Sequence, residues 1–232
     1  MKAEAERLMW PALLVTDFAG TTMRDDGTVL AAYRVALKAF EIPFSKDDLA
    51  ARRGASKRAV FRELAARVHG PDDVNAVAEQ ALTRFEQALR QEYETGEVAE
   101  IPGARNALDR LKRSGVKLAL TTGFDRGLLD LLVGRLGWGT LFDLTLASSD
   151  APAGRPAPFL IYRAMIDLNV GDARQVAVLG DTPLDLQSGM NAQAGWVIGV
   201  LSGAHQLETL GATPHTHLLP SVADLPRLFG LD

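Results

Sequence analysis

The 232-residue chain has no cysteine. That excludes disulfides, thiolate-held zinc and cysteine nucleophiles, and it fits a reducing cytoplasm, where we expect the protein to work. Long apolar runs are missing too. No stretch approaches the ~20 residues of a membrane span, so no membrane partner is expected. Positive charge is not in excess: 25 basic against 29 acidic residues leave a net charge of −4, and no basic run occurs, so no nucleic-acid partner is expected. The first residues, MKAEAERLMWPALLVTDF, mix both charges and run straight into an acidic motif with no small-residue cleavage site, unlike a signal peptide. A GxxxxGKS/T phosphate loop is lacking, and GRLGWG (134–139) follows a helical pattern, so neither a P-loop nor a dinucleotide loop is expected.

What is present is an alternation. The runs ALLVTDF (12–18), VKLALTT (116–122), FDLTLAS (142–148), QVAVLGD (175–181) and WVIGVL (196–201) are short, apolar and bounded by Gly, Asp or Ser/Thr, as buried parallel strands are. Helical patterns over 104–115, 126–137 and 156–170 lie between them, and 216–229 reads as a last short strand with a helix. The pattern argues for an α/β fold with a doubly wound, mainly parallel, Rossmann-like sheet.

Residues 28–96 break the alternation. Helical patterns follow one another over 28–40, 45–52 (Ser45 at its N-cap), 57–70 and 71–96, with no strand between them. A sheet-covering connection is usually one helix, so these form an inserted helical cap over 24–98. The core is then 1–23 and 99–232, with hinges near Met23–Gly27 and Glu97–Pro102.

Four strand ends carry chemistry, at the sheet edge where open α/β sheets bind ligands. Asp17 ends the first strand in DFAGTT. Thr122 and Gly123 end the second. Arg155 lies in GRPAP after the third. Asp181 ends the fourth, with Asp185 four residues on in GDTPLD. A carboxylate can attack phosphorus to give an aspartyl-phosphate. A hydroxyl and a guanidinium can hold the other phosphoryl oxygens, and backbone amides around Gly20, Thr21 and Gly123 can donate to them. Mg²⁺ wants hard oxygen ligands, which Asp17, Asp181 and Asp185 supply. The pair His215 and His217 reads as a solvated loop, Trp138 and Trp196 as packing, and Asp150 as a turn cap.

Together these motifs resemble the haloacid dehalogenase superfamily and, within it, the phosphonatase-like branch. DFAGTT resembles its first motif, LALTTGFDR its second, GRPAP its third and VLGDTPLDLQSGMNA its fourth. The resemblance implies a Rossmann-like core, a helical cap that can also mediate a homodimer, Mg²⁺ as cofactor and a small phosphonate or phosphate ester as substrate. It implies Asp17 as nucleophile, with the backbone carbonyl of Ala19 turned to the metal. Where phosphatases of this kind carry an acid–base carboxylate, the chain has Ala19, and losing such a group costs ~10²–10⁴-fold. That suits a leaving group that needs no proton, as when a lysine imine receives the C–P bonding electrons. RRGASKRAV (52–60) offers Lys57, three residues after Gly54 and flanked by Arg52, Arg53 and Arg58. A nearby arginine would favour its free amine. The loop also departs from the branch: Arg53 stands where it has methionine, and Val60 where it has histidine. Arg53 suits an anionic substrate group. Three readings stay open: a phosphonatase-like C–P hydrolase such as one for phosphonoacetaldehyde, a phosphatase of a small metabolite, and a phospho-ligand-binding protein without turnover.

Overall fold

The computed structural model describes residues 10–50 and 52–231. The readings placed on residues 1–9, and on Ala51 within the helix expected over 45–52, lie outside them.

Six strands form one sheet: β1 (Leu13–Thr16), β2 (Lys117–Thr121), β3 (Leu144–Leu146), β4 (Val176–Gly180), β5 (Trp196–Val200) and β6 (His217–Leu219). Their order is β3-β2-β1-β4-β5-β6, and every neighbouring pair is parallel. Alternate residues serve opposite faces. Leu14, Leu118, Leu120 and Leu179 join one apolar cluster, while Leu13, Val15, Ala119, Val176 and Val178 join another on the other side. Burial on both faces explains why the strands are continuously apolar.

Helices complete the layers: α1 (Thr28–Ala39), α2 (Lys46–Ala50), α3 (Lys57–Ala65), α4 (Val74–Thr95), α5 (Ala104–Arg113), α6 (Arg126–Arg135), α7 (Phe159–Asp167), α8 (Pro183–Asn191), α9 (Leu207–Gly211) and α10 (Leu225–Leu228). The α1, α3 and α4 helices pack through Tyr33, Phe61 and Phe85, whose ring centroids lie 4.6–5.6 Å apart. Two connectors join these helices to the sheet and run side by side: Arg24 N–H donates to Ala99 O at 2.9 Å, and Ile101 N–H to Thr22 O at 2.8 Å.

Several helices are shorter than their patterns. The third stops at Ala65, because the chain then tightens into turns, with Val68 N–H returning to Ala65 O. The α4 helix begins three residues past Pro71. The α7 helix begins at Phe159, because Pro156 and Pro158 disfavour the helical conformation in the residues that precede them. Two helices escape the sequence reading. One is α9; the other is α8, which opens on a Thr182–Asp185 capping box with Pro183 at its first position. At Ser45, Oγ accepts from Asp48 N–H at 3.0 Å, as an N-cap does.

Trp138 is buried, and Trp196 packs edge-on against Phe229 at 6.0 Å. Asp150 accepts from Ala147 N–H at 2.8 Å in a short turn. The rings of His215 and His217 bond to neighbouring threonines, at 2.7 and 2.9 Å. Among the described residues no helix is long and apolar enough to cross a membrane.

Candidate active site

The sheet order reverses between β1 and β4: the chain leaves β1 for β2 and β3, then returns to β4 on its other side. That switch point opens a crevice at the carboxyl ends of the strands. Asp17 follows β1 directly, Thr122 follows β2 and Asp181 follows β4. All three line a cavity of about 490 Å³, together with Ala19, Gly20, Arg53, Gly54, Lys57, Gly123 and Arg155. Asp185 lies just behind it, within the first turn of α8.

Hydrogen bonds fix the acidic floor. Thr21 Oγ1 donates toward Asp181 Oδ1 at 3.1 Å and toward Asp17 Oδ2 at 3.3 Å, so one hydroxyl spans both acids. Ala204 N–H donates to Asp181 Oδ2 at 2.6 Å. Gly20 has φ +93°, and a Cβ there would lie 2.5 Å from Asp181 Oδ2; at Gly203 it would lie 2.1 Å away. Only glycine lets two loops close on the Asp181 carboxylate.

Arg155 is wedged between two acids. Its Nη1 lies 2.7 Å from Asp17 Oδ1 and its Nε 2.8 Å from Asp185 Oδ1. Its Nη2 donates to Thr121 Oγ1 at 2.8 Å. The other oxygen of Asp185 accepts from Thr182 N–H at 3.0 Å, so this carboxylate orients Arg155 and caps α8 at once. Thr122 Oγ1 accepts from Phe124 N–H at 3.2 Å, which leaves its proton free to donate.

One oxygen from each of Asp17, Asp181 and Asp185 falls within 4.8 Å of the others, and all three residues are buried. Three carboxylates face one guanidinium. Burial first, and repulsion from the neighbouring acids, push the carboxyls of Asp17 and Asp181 well above the usual range, with Arg155 opposing this at Asp17. A cluster with this excess negative charge and hard oxygen donors fits a divalent cation.

Lys57 opens α3 and reaches into the cavity over Gly123, where a Cβ would stand 3.7 Å from Nζ. Its ammonium lies 5.7 Å from the centre of the Tyr33 ring. Burial is the largest influence on the amine and lowers its pKa from 10.5 to about 8, with Asp17 opposing and Arg155 reinforcing. Of the flanking arginines, Arg53 lowers the amine's pKa as the sequence reading expects, by less than Arg155 does. Arg52 pairs with Glu63 and Asp48, and Arg58 with Glu79. Of the three only Arg53 lines the cavity, its Nη2 3.1 Å from Asp25 Oδ2. Gly54 has φ +81°, and its Cβ would stand 2.5 Å from Thr182 Oγ1, so this loop sits directly on the sheet's edge.

Sequence reading missed three contributors. Asp25 turns its carboxylate to Arg53 and to Val29 N–H. Tyr33 forms a wall beside Lys57. The Ser202–Gly203–Ala204 loop closes over Asp181. A glycine just past the carboxyl end of the fifth strand was the available signal for that loop.

The family model described as haloacid dehalogenase-like hydrolase matches residues 14–198. A phosphonoacetaldehyde hydrolase of Syntrophobacter fumaroxidans is 30% identical over 211 residues, covering 84% of this chain and 73% of that protein. Another from Parabacteroides distasonis is 34% identical over 108 residues, 46% of this chain, and the match spans only 40% of that protein's length. Among solved structures, a hydrolase from Pseudomonas syringae superposes with TM-score 0.82 at 20% identity, covering 93% of this chain and 96% of that one. A phosphonoacetaldehyde hydrolase-like protein from Oleispira antarctica gives TM-score 0.77 at 19% identity, covering 95% and 93%. A putative phosphoglycolate phosphatase from Lactobacillus plantarum gives 0.78 at 18%, covering 94% and 99%. These structural likenesses speak for the fold, and the family match over most of the chain speaks for descent: the chain belongs to the haloacid dehalogenase-like hydrolases.

Proposed function

We propose that the protein is a Mg²⁺-dependent hydrolase of a small carbonyl-bearing phosphonate, cleaving its C–P bond through a phosphoryl group carried on Asp17. One observation carries this reading: an enclosed lysine amine shares a cavity with Asp17, while position 19 has no carboxylate. The similarity to phosphonoacetaldehyde hydrolases supports it.

The Lys57 amine adds to the substrate carbonyl and loses water as an imine. A pKa near 8 leaves much of the amine free at neutral pH, as this step requires. A carboxylate oxygen of Asp17 then attacks phosphorus. The C–P bond breaks and its electron pair passes into the imine, giving an enamine, so no acid at position 19 is needed. The enamine takes a proton at carbon, and water releases the carbonyl product from Lys57. A second water frees phosphate from Asp17. Thr122 donates to a phosphoryl oxygen. Arg155 holds Asp17 in line and offsets charge on phosphorus, while Asp185 keeps Arg155 in place. Asp17, Asp181 and the Ala19 carbonyl would hold Mg²⁺, which neutralises phosphoryl charge when bound. Residues 24–98 act as a cap on the core of 1–23 and 99–232, and closure of the Gly54 loop onto Thr182 excludes water around Lys57.

A second reading is favoured by Asp25, whose carboxylate lines the same cavity. In a phosphatase of a small phosphorylated metabolite it would stand in for the acid absent at position 19.

The test is a phosphate-release panel over phosphonoacetaldehyde and common phosphomonoesters, with and without Mg²⁺, joined to borohydride reduction and mass mapping of Lys57. Release from the phosphonate with a trapped adduct at Lys57 is expected. Release from esters with no adduct would transfer the function to the second reading, and tight binding without release from either class would remove both.

A further inference from the structure

We propose that the substrate carries a carboxylate on the carbon skeleton beyond its carbonyl, and that Arg53 reads it. This rests on the C–P hydrolase reading above and names its substrate class: a phosphonate whose β-carbonyl bears an acid group.

Three features lead there. First, besides Arg155 and Lys57 the cavity is lined by two further cations, Arg24, which pairs with Asp26, and Arg53. The loop that carries Arg53 is fixed at the rim by Gly54, whose backbone lies against Thr182. Second, that guanidinium is only partly engaged. Among the described residues it makes one ion pair, Nη2 to Asp25 Oδ2 at 3.1 Å, and 28% of its side chain is exposed. A guanidinium presents five N–H donors in a planar fork, so a whole edge remains for a carboxylate. Third, Lys57 lines the same cavity as Asp17, Arg155, Asp25 and Arg53, and the charges of all four act on its amine. A substrate spanning the cavity thus meets Asp17 with its phosphorus, Lys57 with its carbonyl and Arg53 with whatever lies beyond. A two-carbon phosphonate ends at the carbonyl and leaves Arg53 without a partner in the substrate. An acid group on the carbonyl carbon would supply one.

The chemistry is unchanged and balanced. Lys57 condenses with the keto carbon, and the C–P electron pair enters the imine as phosphorus passes to Asp17. Protonation at carbon and two hydrolyses return Lys57 and Asp17 with a keto acid and phosphate. Overall one water is consumed.

The experiment compares kcat/KM for 3-phosphonopyruvate and phosphonoacetaldehyde in wild type, Arg53→Met and Arg53→Lys, with Mg²⁺ present. Wild type is expected to prefer the carboxylated probe. In Arg53→Met the ratio of the two constants should fall about 10- to 100-fold, the cost of one charge-assisted forked contact, with Arg53→Lys between. Reduction by borohydride with pyruvate should tag Lys57 in wild type and much less in Arg53→Met, a readout independent of phosphorus. Preference for the aldehyde, or a ratio that Arg53→Met leaves unchanged, overturns the proposal while the C–P reading stands. Release from neither probe by folded protein overturns that reading and this inference with it.

Discussion

Replacing Lys57 with methionine should abolish imine chemistry and stabilise the fold at neutral pH. The amine is held in a cavity at the first residue of α3, where the helix dipole also opposes a cation. Burial leads the causes that bring its pKa from 10.5 to about 8. A lysine harder to protonate when folded costs stability wherever it is protonated. That cost is fully present below about pH 8 and fades as pH rises toward 10.5, where the unfolded chain loses its proton as well. The difference corresponds to about 3 kcal/mol, and water reaching the partly exposed side chain reduces it to ~1–3 kcal/mol. For a chain of this size that is about 2–10 °C in Tm. Thermal unfolding of both proteins in EDTA, at pH 7 and pH 10, measures it: the variant should melt higher at pH 7, with a smaller margin at pH 10. In wild type the phosphonate rate should rise with pH and level off above pH 8. A variant that is no more stable at pH 7, or a margin equal at both pH values, would refute the account of an enclosed, reluctant cation.

Other outcomes follow from the acidic floor, the rim and the missing acid. The raised carboxyls of Asp17 and Asp181 favour the folded state when protonated, so in EDTA the Tm should fall as pH climbs from about 4 to neutrality. Mg²⁺ should reverse this in wild type and do so far less in Asp181→Asn; melting curves with no Mg²⁺ response in wild type would count against a metal site here. Gly54→Ala combines a left-handed φ of +81° with a Cβ 2.5 Å from Thr182 Oγ1. It should cost about 1–2 kcal/mol in urea unfolding and a larger share of kcat/KM, and wild-type kinetics in this variant would separate loop seating from turnover. Ala19→Asp should raise phosphomonoester hydrolysis by ~10²-fold or more in steady-state assays. If wild type already turns esters over rapidly, the argument from the absent acid fails.

The sheet and its edge were legible because the physics behind them is local. Each strand is a continuous apolar run, and Asp17, Thr122 and Asp181 each stand one residue past such a run, so topology alone carries them to one crevice. Helix ends were less legible, since Ala65 and Phe159 end or begin helices for reasons of turn bonding and proline placement that periodicity does not register. Partnerships were not legible at all. Arg155 contacts Asp17 and Asp185 across 138 and 30 positions, and GRPAP alone does not say which acids a loop arginine will meet. Asp25 sits in RDDG, which reads as a turn, and acquires its place in the cavity only when the loop with Arg53 folds back beside it.

The empty positions explain more of the site than the occupied ones. Gly20 and Gly203 have no side chain where Asp181 must approach, Gly54 none where the loop must seat on Thr182, and Gly123 none beneath Lys57. Ala19 extends the series, with a methyl group where the resemblance to phosphatases leads one to expect an acid. The glycines allow close approach, and the alanine offers no carboxylate for proton transfer. On the proposed function the C–P electron pair then passes to an imine on Lys57, the first residue of the helix that follows the Gly54 loop. Chemistry and closure are thereby tied to one loop, so a substitution that disturbs its seating should slow turnover even where every strand-end residue is intact.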